Sequence, residues 1–267
     1  MSKKQKKTGT LVCVGTGITL AGQMTTLSQS YIEDADIVFT LLPDFACEQW
    51  IQGLNDNCQS LQPFYAEGKS RRETYQEMKQ AVCQEVRAGK DVVLALYGHP
   101  GIFACVGHFA IEELLKEGYS AQMLPGISAD ACLFADLGID PGTYGCQSYE
   151  ATQFLFSGVE PNIGAHLILW QIGLAGEHTL RTFKTTEKNL QATVRILGRY
   201  YPLDHEVTLY EAPFLPIQEP RIETFALQDL PTIKLSSIST LVIPPTKPLK
   251  LDQQSLDEFN LEISDFG

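Results

Sequence analysis

The most constraining feature of this chain is a set of short runs that are apolar at nearly every position. Asp91-Val-Val-Leu-Ala-Leu96 is the clearest: it starts just after Gly89 and is halted by Tyr97-Gly98-His99-Pro100-Gly101. Thr10-Leu-Val-Cys-Val14, ended by Gly15-Thr-Gly17, and Asp36 to Leu42, stopped by Pro43, have the same character. A strand with one face in water would alternate, so continuous runs predict strands covered on both faces. Between them, Arg71 to Ala88 keeps helical spacing through Tyr75, Met78, Val82 and Val86, with Gly89 as its stop. Phe103 to Glu117 repeats the pattern and closes at Gly118. Strand, helix, strand, helix predicts a parallel α/β sheet with right-handed crossovers.

Leu124-Pro-Gly126 punctuates the chain, and Ser128 is placed to cap a helix running to Leu137. Leu137 to Gly145, with three glycines and a proline, reads as a loop. Beyond it, Ala165 to Gln171, His205 to Tyr210 and Ser239 to Ile243 predict three more strands, with a helix near Leu190 to Tyr200. At roughly 150 residues per domain, 267 residues suit two α/β domains. The expected division is 1–125, 126–248 and a short acidic tail over 249–267.

Composition narrows the function classes. Hydrophobic residues make up 44%, enough for a sizeable core. A net charge of −12 argues against a nucleic-acid surface and against docking on anionic membrane. The seven cysteines are odd in number, scattered and without a CxxC, which fits neither a zinc ribbon nor a disulfide framework. The basic start, Met1 to Lys7, is followed by no long apolar segment. A cytoplasmic protein is expected. No metal site is expected either, since the five histidines include no HExxH.

The glycine loops point toward a ligand. Gly15-Thr-Gly17 after a strand invites a dinucleotide reading, but the spacing is not GxGxxG and no acid ends the second strand. No GK[ST] occurs, so a P-loop is excluded. Tyr97 to Gly101 is more informative, because open α/β sheets bind ligands beyond the carboxyl ends of their strands. Taken alone, a Pro-Gly turn explains it equally well.

With Leu124-Pro-Gly-Ile-Ser-Ala129 and the late Ser239-Thr240-Leu241, these loops resemble the tetrapyrrole methylase superfamily. Within it, Gly68-Lys-Ser-Arg-Arg-Glu-Thr-Tyr75, Tyr97 to Phe103, Ser128 to Leu137 and Ser148-Tyr-Glu-Ala151 are similar to the borosin peptide-backbone α-N-methyltransferases. The resemblance implies two α/β domains with the active site in the cleft between them. It also implies iterative transfer of methyl groups from S-adenosylmethionine to backbone amides. Fused members carry their substrate as an apolar C-terminal extension. Here Thr246 to Gly267 is acidic and has no such core, while Asp204-His-Glu-Val and Gln171 to His178 resemble the split enzymes. A separate precursor peptide is therefore expected as partner. The family suggests a homodimer, or a heterotetramer with two precursor chains. The alternative is a small-molecule methylase of tetrapyrrole or precorrin type, against which Gly68 to Arg71 and the acidic charge both weigh.

The resemblance implies the catalytic set Tyr65, Arg71 and Tyr75, with Tyr97 as a further candidate. The spacing of the set is sensible unaided: Arg71 and Tyr75, four apart, share a helix face, and a guanidinium favours tyrosinate. Read without the family, a core tyrosine and a solvated arginine remain open. For the methyl donor, the resemblance implies Tyr97, Gly98, His99, Pro100, Gly101, Ile102 and Phe103 against the methionine part, with Ser128 and Ala129 beneath. Gln171, Tyr210, Ala212, Ser239 and Thr240 complete the donor set, holding ribose and adenine.

Overall fold

In the computed structural model, residues 8–66, 68–247 and 251–266 are described. The basic run Met1 to Lys7 lies outside them. The chain divides into two compact units. The first runs through Ile139 and takes in Thr179–Thr182 and Ala212–Arg221. The second comprises Asp140–His178, Phe183–Glu211 and the chain from Ile222 onward. This division falls at Ile139/Asp140, later than the 125/126 boundary expected from Leu-Pro-Gly, and the helix after that motif stays with the first unit.

The first unit contains β1 (Thr10–Gly15), α1 (Thr26–Asp34), β2 (Ile37–Leu41), α2 (Phe45–Gln52), β3 (Cys58–Ser60), α3 (Arg71–Arg87), β4 (Asp91–Leu96), α4 (Cys105–Glu117), β5 (Ser120–Met123) and α5 (Ala129–Leu137). Its sheet has the order β3-β2-β4-β1-β5, and its pairings are parallel. Strand side chains alternate between faces, and here both faces are apolar. Leu11, Cys13, Phe39, Leu94 and Leu96 join Met78, Val82 and Val86 of α3 and Ala110 and Leu114 of α4 in one core. Val12, Val14, Val38, Val93 and Ala95 form the opposite core with Ile32 of α1 and Ile51 of α2. That double coverage explains the uninterrupted apolar runs. Gly89 follows α3 in a left-handed conformation (φ +93°). The helix expected from Phe103 starts only at Cys105, because Phe103 itself is left-handed (φ +52°).

The second unit contains α6 (Pro141–Tyr144), β6 (Cys146–Glu150), α7 (Ala151–Ser157), β7 (His166–Trp170), α8 (Glu187–Leu197), β8 (Glu206–Glu211), β9 (Arg221–Ala226), β10 (Thr240–Ile243) and α9 (Gln253–Phe259). Its sheet order is β6-β7-β10-β8-β9. Here β6 and β7 are parallel, whereas β10 is antiparallel to both β7 and β8. The expected loop between Leu137 and Gly145 contains the short helix α6, started by Pro141 and capped by Asp140. The acidic segment also forms a helix, α9, which buries Leu256. All seven cysteines are free thiols. Among the described residues, no helix is long and apolar enough to cross a membrane, and no group of three or more His, Cys, Asp or Glu could hold a metal ion.

Candidate active site

The head of α3 is built around two tyrosines and an arginine. Ser70 caps the helix by accepting from the Arg72 N–H at 3.3 Å, and Arg71 N–H donates to Leu180 O at 3.1 Å. Leu180 is itself left-handed (φ +58°), so a strained loop abuts the start of this helix. Tyr65 follows a single 3₁₀ turn, Gln62–Phe64, and its N–H donates to Gln62 O at 3.0 Å. Its ring meets that of Tyr75 edge-on, with centroids 6.3 Å apart and planes at 88°. Both rings pack against the α3/α4 core. Lys69 fixes the arrangement: its Nζ donates to Phe64 O at 3.0 Å and pairs with Glu77 on α3. The Tyr65 loop is thereby tied to the helix bearing Tyr75.

The electrostatics of Tyr65 are opposed. Burial pushes its phenol up, and the nearby Tyr75, with which it shares a hydrogen bond, and Cys105 add to that, whereas the Arg71 charge pulls it down. A tyrosine pair held beside a guanidinium can take up a proton when one member is ionised, and can stabilise charge developing on an oxygen.

Tyr97 is placed elsewhere. It follows β4 and packs on the α1/α2 face, the opposite core from Tyr65 and Tyr75. Its phenol is pushed up to about 12 by burial and by Cys47, Cys132 and Asp44 around it. The structure thus brings Tyr65, Arg71 and Tyr75 together and leaves Tyr97 to the glycine loops.

Those loops converge at the carboxyl ends of β1, β4 and β5. Gly17 and Gly98 pair with each other, Gly98 N–H donating to Gly17 O at 2.9 Å and Gly17 N–H to Gly98 O at 3.3 Å. A Cβ on Gly15 would lie 2.2 Å from Gly98 O and 2.9 Å from Pro100 Cδ, so no side chain fits there. Gly126 closes in from the third strand, within 3.4 Å of both Gly98 O and Gly15 Cα if given a Cβ. His99 Nδ1 accepts from Gly101 N–H at 3.0 Å, and His108 Nε2 lies 2.9 Å from Gly101 O. This turn leaves Ile102 and Phe103 exposed. Ser128 does not cap α5 as expected; its hydroxyl bonds Asp130 instead, directly beside Ala129. Ala212 belongs to a segment held by the loop after β1, where Leu20 N–H donates to Phe214 O at 2.9 Å.

In the second unit, Gln171, Tyr210, Ser239 and Thr240 collect at one end of the sheet. Tyr210 and Thr240 are cross-strand partners, and Ile172 N–H donates to Ser239 O at 2.9 Å. Gln171 is left-handed (φ +55°), a strained state for a side-chain-bearing residue that clusters at ligand sites. Ser239 is fully buried, and its hydroxyl bonds Glu211 and accepts from Ser236 N–H at 2.8 Å. Of this residue, the main chain is what remains for a ligand.

Sequence reasoning missed Lys69 and Glu77 as a brace, His108 under the Gly101 turn, and Asp130 beside Ser128. Lys69 lay inside a motif already singled out, but the seven residues between it and Glu77 carry no local signal. The loop set fits S-adenosylmethionine: close main-chain approach, aromatic Tyr97 and Phe103, and the carboxylates Asp44 and Asp130 suit a cationic donor.

The chain has a two-unit α/β architecture with glycine loops at the strand ends of its first sheet. It is similar to the uroporphyrin-III-C-methyltransferase of Thermus thermophilus, with a TM-score of 0.63 at 15% identity, covering 92% of this chain and 99% of that one. Residues 10–217 match the family of tetrapyrrole (corrin/porphyrin) methylases, and the chain belongs to that family. It is 40% identical over 265 residues to the methyltransferase/ribosomally synthesized type I borosin cyclic peptide precursor of Coprinopsis marcescibilis. It is 42% identical over 264 residues to the methyltransferase/dendrothelin A precursor of Dendrothele bispora. These alignments take in 96% and 97% of this chain, and the chain spans 68% and 63% of the two relatives.

Proposed function

We propose that this methyltransferase transfers methyl groups from S-adenosylmethionine to backbone amide nitrogens of a peptide, repeatedly along one substrate. The observation that carries this is the edge-on Tyr65–Tyr75 pair beside Arg71, in a chain about 40% identical to borosin relatives. An amide nitrogen shares its lone pair with the carbonyl and is a poor nucleophile. Methylating it requires removal of the N–H with concurrent stabilisation of charge on the oxygen.

In this reading Tyr75, paired with Tyr65, takes the amide proton as its tyrosinate. Arg71, whose charge opposes the effect of burial on the neighbouring Tyr65 phenol, holds the peptide oxygen as it becomes negative. Lys69 and Glu77 keep the Tyr65 loop on α3. The donor supplies an electrophilic methyl group on a sulfonium. Tyr97 to Phe103, Ser128 and Ala129 hold its methionine side, and Gln171, Tyr210, Ala212, Thr240 and the main chain of Ser239 hold ribose and adenine. The apolar side chains of Ile102 and Phe103 exclude water from the loop they border.

We further propose that the peptide arrives as a separate chain, that the enzyme works as a homodimer, and that it acts in the cytoplasm. The first rests on the likeness of Asp204 to Val207 and Gln171 to His178 to split enzymes, the second on the family, and the third on seven free thiols. The test is to incubate the chain with S-adenosylmethionine and a separately made peptide encoded beside it. Intact-mass gains in whole CH₂ steps on that peptide support the reading. Unchanged mass with a verified cognate peptide contradicts it.

A further inference from the structure

Gln23 holds more of the loop cluster than any residue of the glycine motifs themselves. Its Oε1 accepts from two consecutive main-chain donors, Ile18 N–H at 2.9 Å and Thr19 N–H at 3.1 Å. Its amide nitrogen donates to Cys132 Sγ at 3.3 Å, on the first turns of the helix that follows Ser128 and Ala129. A Cβ on Gly17 would fall 2.4 Å from Gln23 Cβ, so the loop is folded directly onto this side chain. Gly17 in turn pairs with Gly98, and Thr19 and Leu20 bond Pro213 and Phe214, the residues after Ala212. One half-buried carboxamide therefore ties together the loops after β1, β4 and β5 and the segment starting at Ala212. Gln23 lies in neither the catalytic set nor the donor-binding set.

We propose that Gln23 is a positioning residue for the methyl donor, setting donor affinity through the Ile18–Thr19 main chain and Cys132 without touching the reacting atoms. This rests on the functional reading above. Two features separate it from a merely structural role. The bonds are to loop main chain and to the Cys132 thiol on α5, and not to either core of the first sheet. Their loss should also act on donor binding while leaving the α3 tyrosines in place, because those pack on the other face of the sheet.

The experiment is calorimetric titration of the full chain with S-adenosylhomocysteine, plus kcat and donor KM, for wild type, Gln23→Met, Gln23→Glu and Cys132→Val. Gln23→Met removes acceptor and donor together. It is expected to weaken binding and raise donor KM at least about tenfold, with kcat at saturating donor and the ligand-free Tm near wild type. Gln23→Glu keeps the double acceptor and is expected to recover most of the affinity. Cys132→Val, which leaves the main-chain bonds intact, is expected to fall between Gln23→Met and wild type. Should Gln23→Met fail to fold, Gln23→Glu and Cys132→Val still decide: both lose the Cys132 bond, so affinity below wild type in both supports the proposal and wild-type affinity in both overturns it. Unchanged affinity in folded Gln23→Met, or a Gln23→Glu no better than Gln23→Met, overturns the proposal. Wild type that binds no S-adenosylhomocysteine overturns the functional reading and this proposal with it; wild type that binds, with Gln23→Met equal to it, overturns this proposal alone.

Discussion

The two faces of the first sheet carry tyrosines in contrasting surroundings. On the α3/α4 face, Tyr65 meets Tyr75 edge-on, and Arg71 opposes the effect of burial on its phenol. On the α1/α2 face, Tyr97 is surrounded by two thiols and Asp44, all of which favour the neutral phenol. A neighbouring cation favours the tyrosinate that can take up a proton; a neighbouring carboxylate disfavours that ionised form. In the function proposed above, the contrast goes with proton chemistry on the first face and binding on the second, although burial pushes up both the Tyr65 and the Tyr97 phenols.

Four substitutions sharpen or break that contrast. Tyr75→Phe should produce the largest effect, a loss of about 10²–10⁴ in kcat, the range of a general base, with donor affinity intact by calorimetry. Turnover at the wild-type rate would move the chemistry off α3. Gly15→Ala should act in the opposite way. Its Cβ cannot sit 2.2 Å from Gly98 O, and an overpacking cost of about 1–3 kcal/mol should appear as weakened donor binding and lowered Tm.

Arg71→Gln should give an intermediate effect with a diagnostic pH dependence. The guanidinium lowers the Tyr65 phenol, so its removal raises that phenol further. The alkaline-going rise in kcat should move to higher pH, by about one unit for an incompletely buried site. A profile that stays in place would show that Arg71 does not govern the proton acceptor.

Tyr97→Phe should have the smallest effect on rate, and its signature lies in stability. The Tyr97 phenol is raised to about 12 from its ordinary value of 10.0, so the folded state holds this proton more tightly than the unfolded chain does. Its contribution is complete below about pH 10 and is lost as pH rises through about 12. Tyr97→Phe should therefore flatten the fall of Tm over that interval, and an unchanged slope would contradict the burial of this phenol.

The interior strands were legible in the sequence and the edge strands were not. β1, β2 and β4, and β7 and β10, have sheet neighbours on both sides and lie almost wholly in core, so their runs are apolar; β8, also interior, buries Val207, Leu209 and Tyr210 between more polar positions. The four strands that sequence did not reveal, β3, β5, β6 and β9, are the edges of the two sheets. Ser120-Ala-Gln-Met123 and Cys146-Gln-Ser-Tyr-Glu150 are polar and half-exposed, with one side free of a partner strand. Their strand character comes from the neighbour and not from their own residues. The site shows the same limit. Spacing put Arg71 and Tyr75 on one helix face, but only the fold brings Tyr65 edge-on to Tyr75 and sends Tyr97 to the opposite face. Gln23 had no signal at all, because its partners Ile18, Thr19 and Cys132 are joined by a fold that glycines at 15, 17, 98 and 126 make possible.

The central claim is that the nucleophile is a backbone amide nitrogen, and fragment-ion mass spectrometry of the methylated peptide tests it most directly. The account predicts every added methyl on main-chain nitrogens, at several neighbouring residues of one peptide. Methyl groups on side chains or on the peptide termini would contradict it.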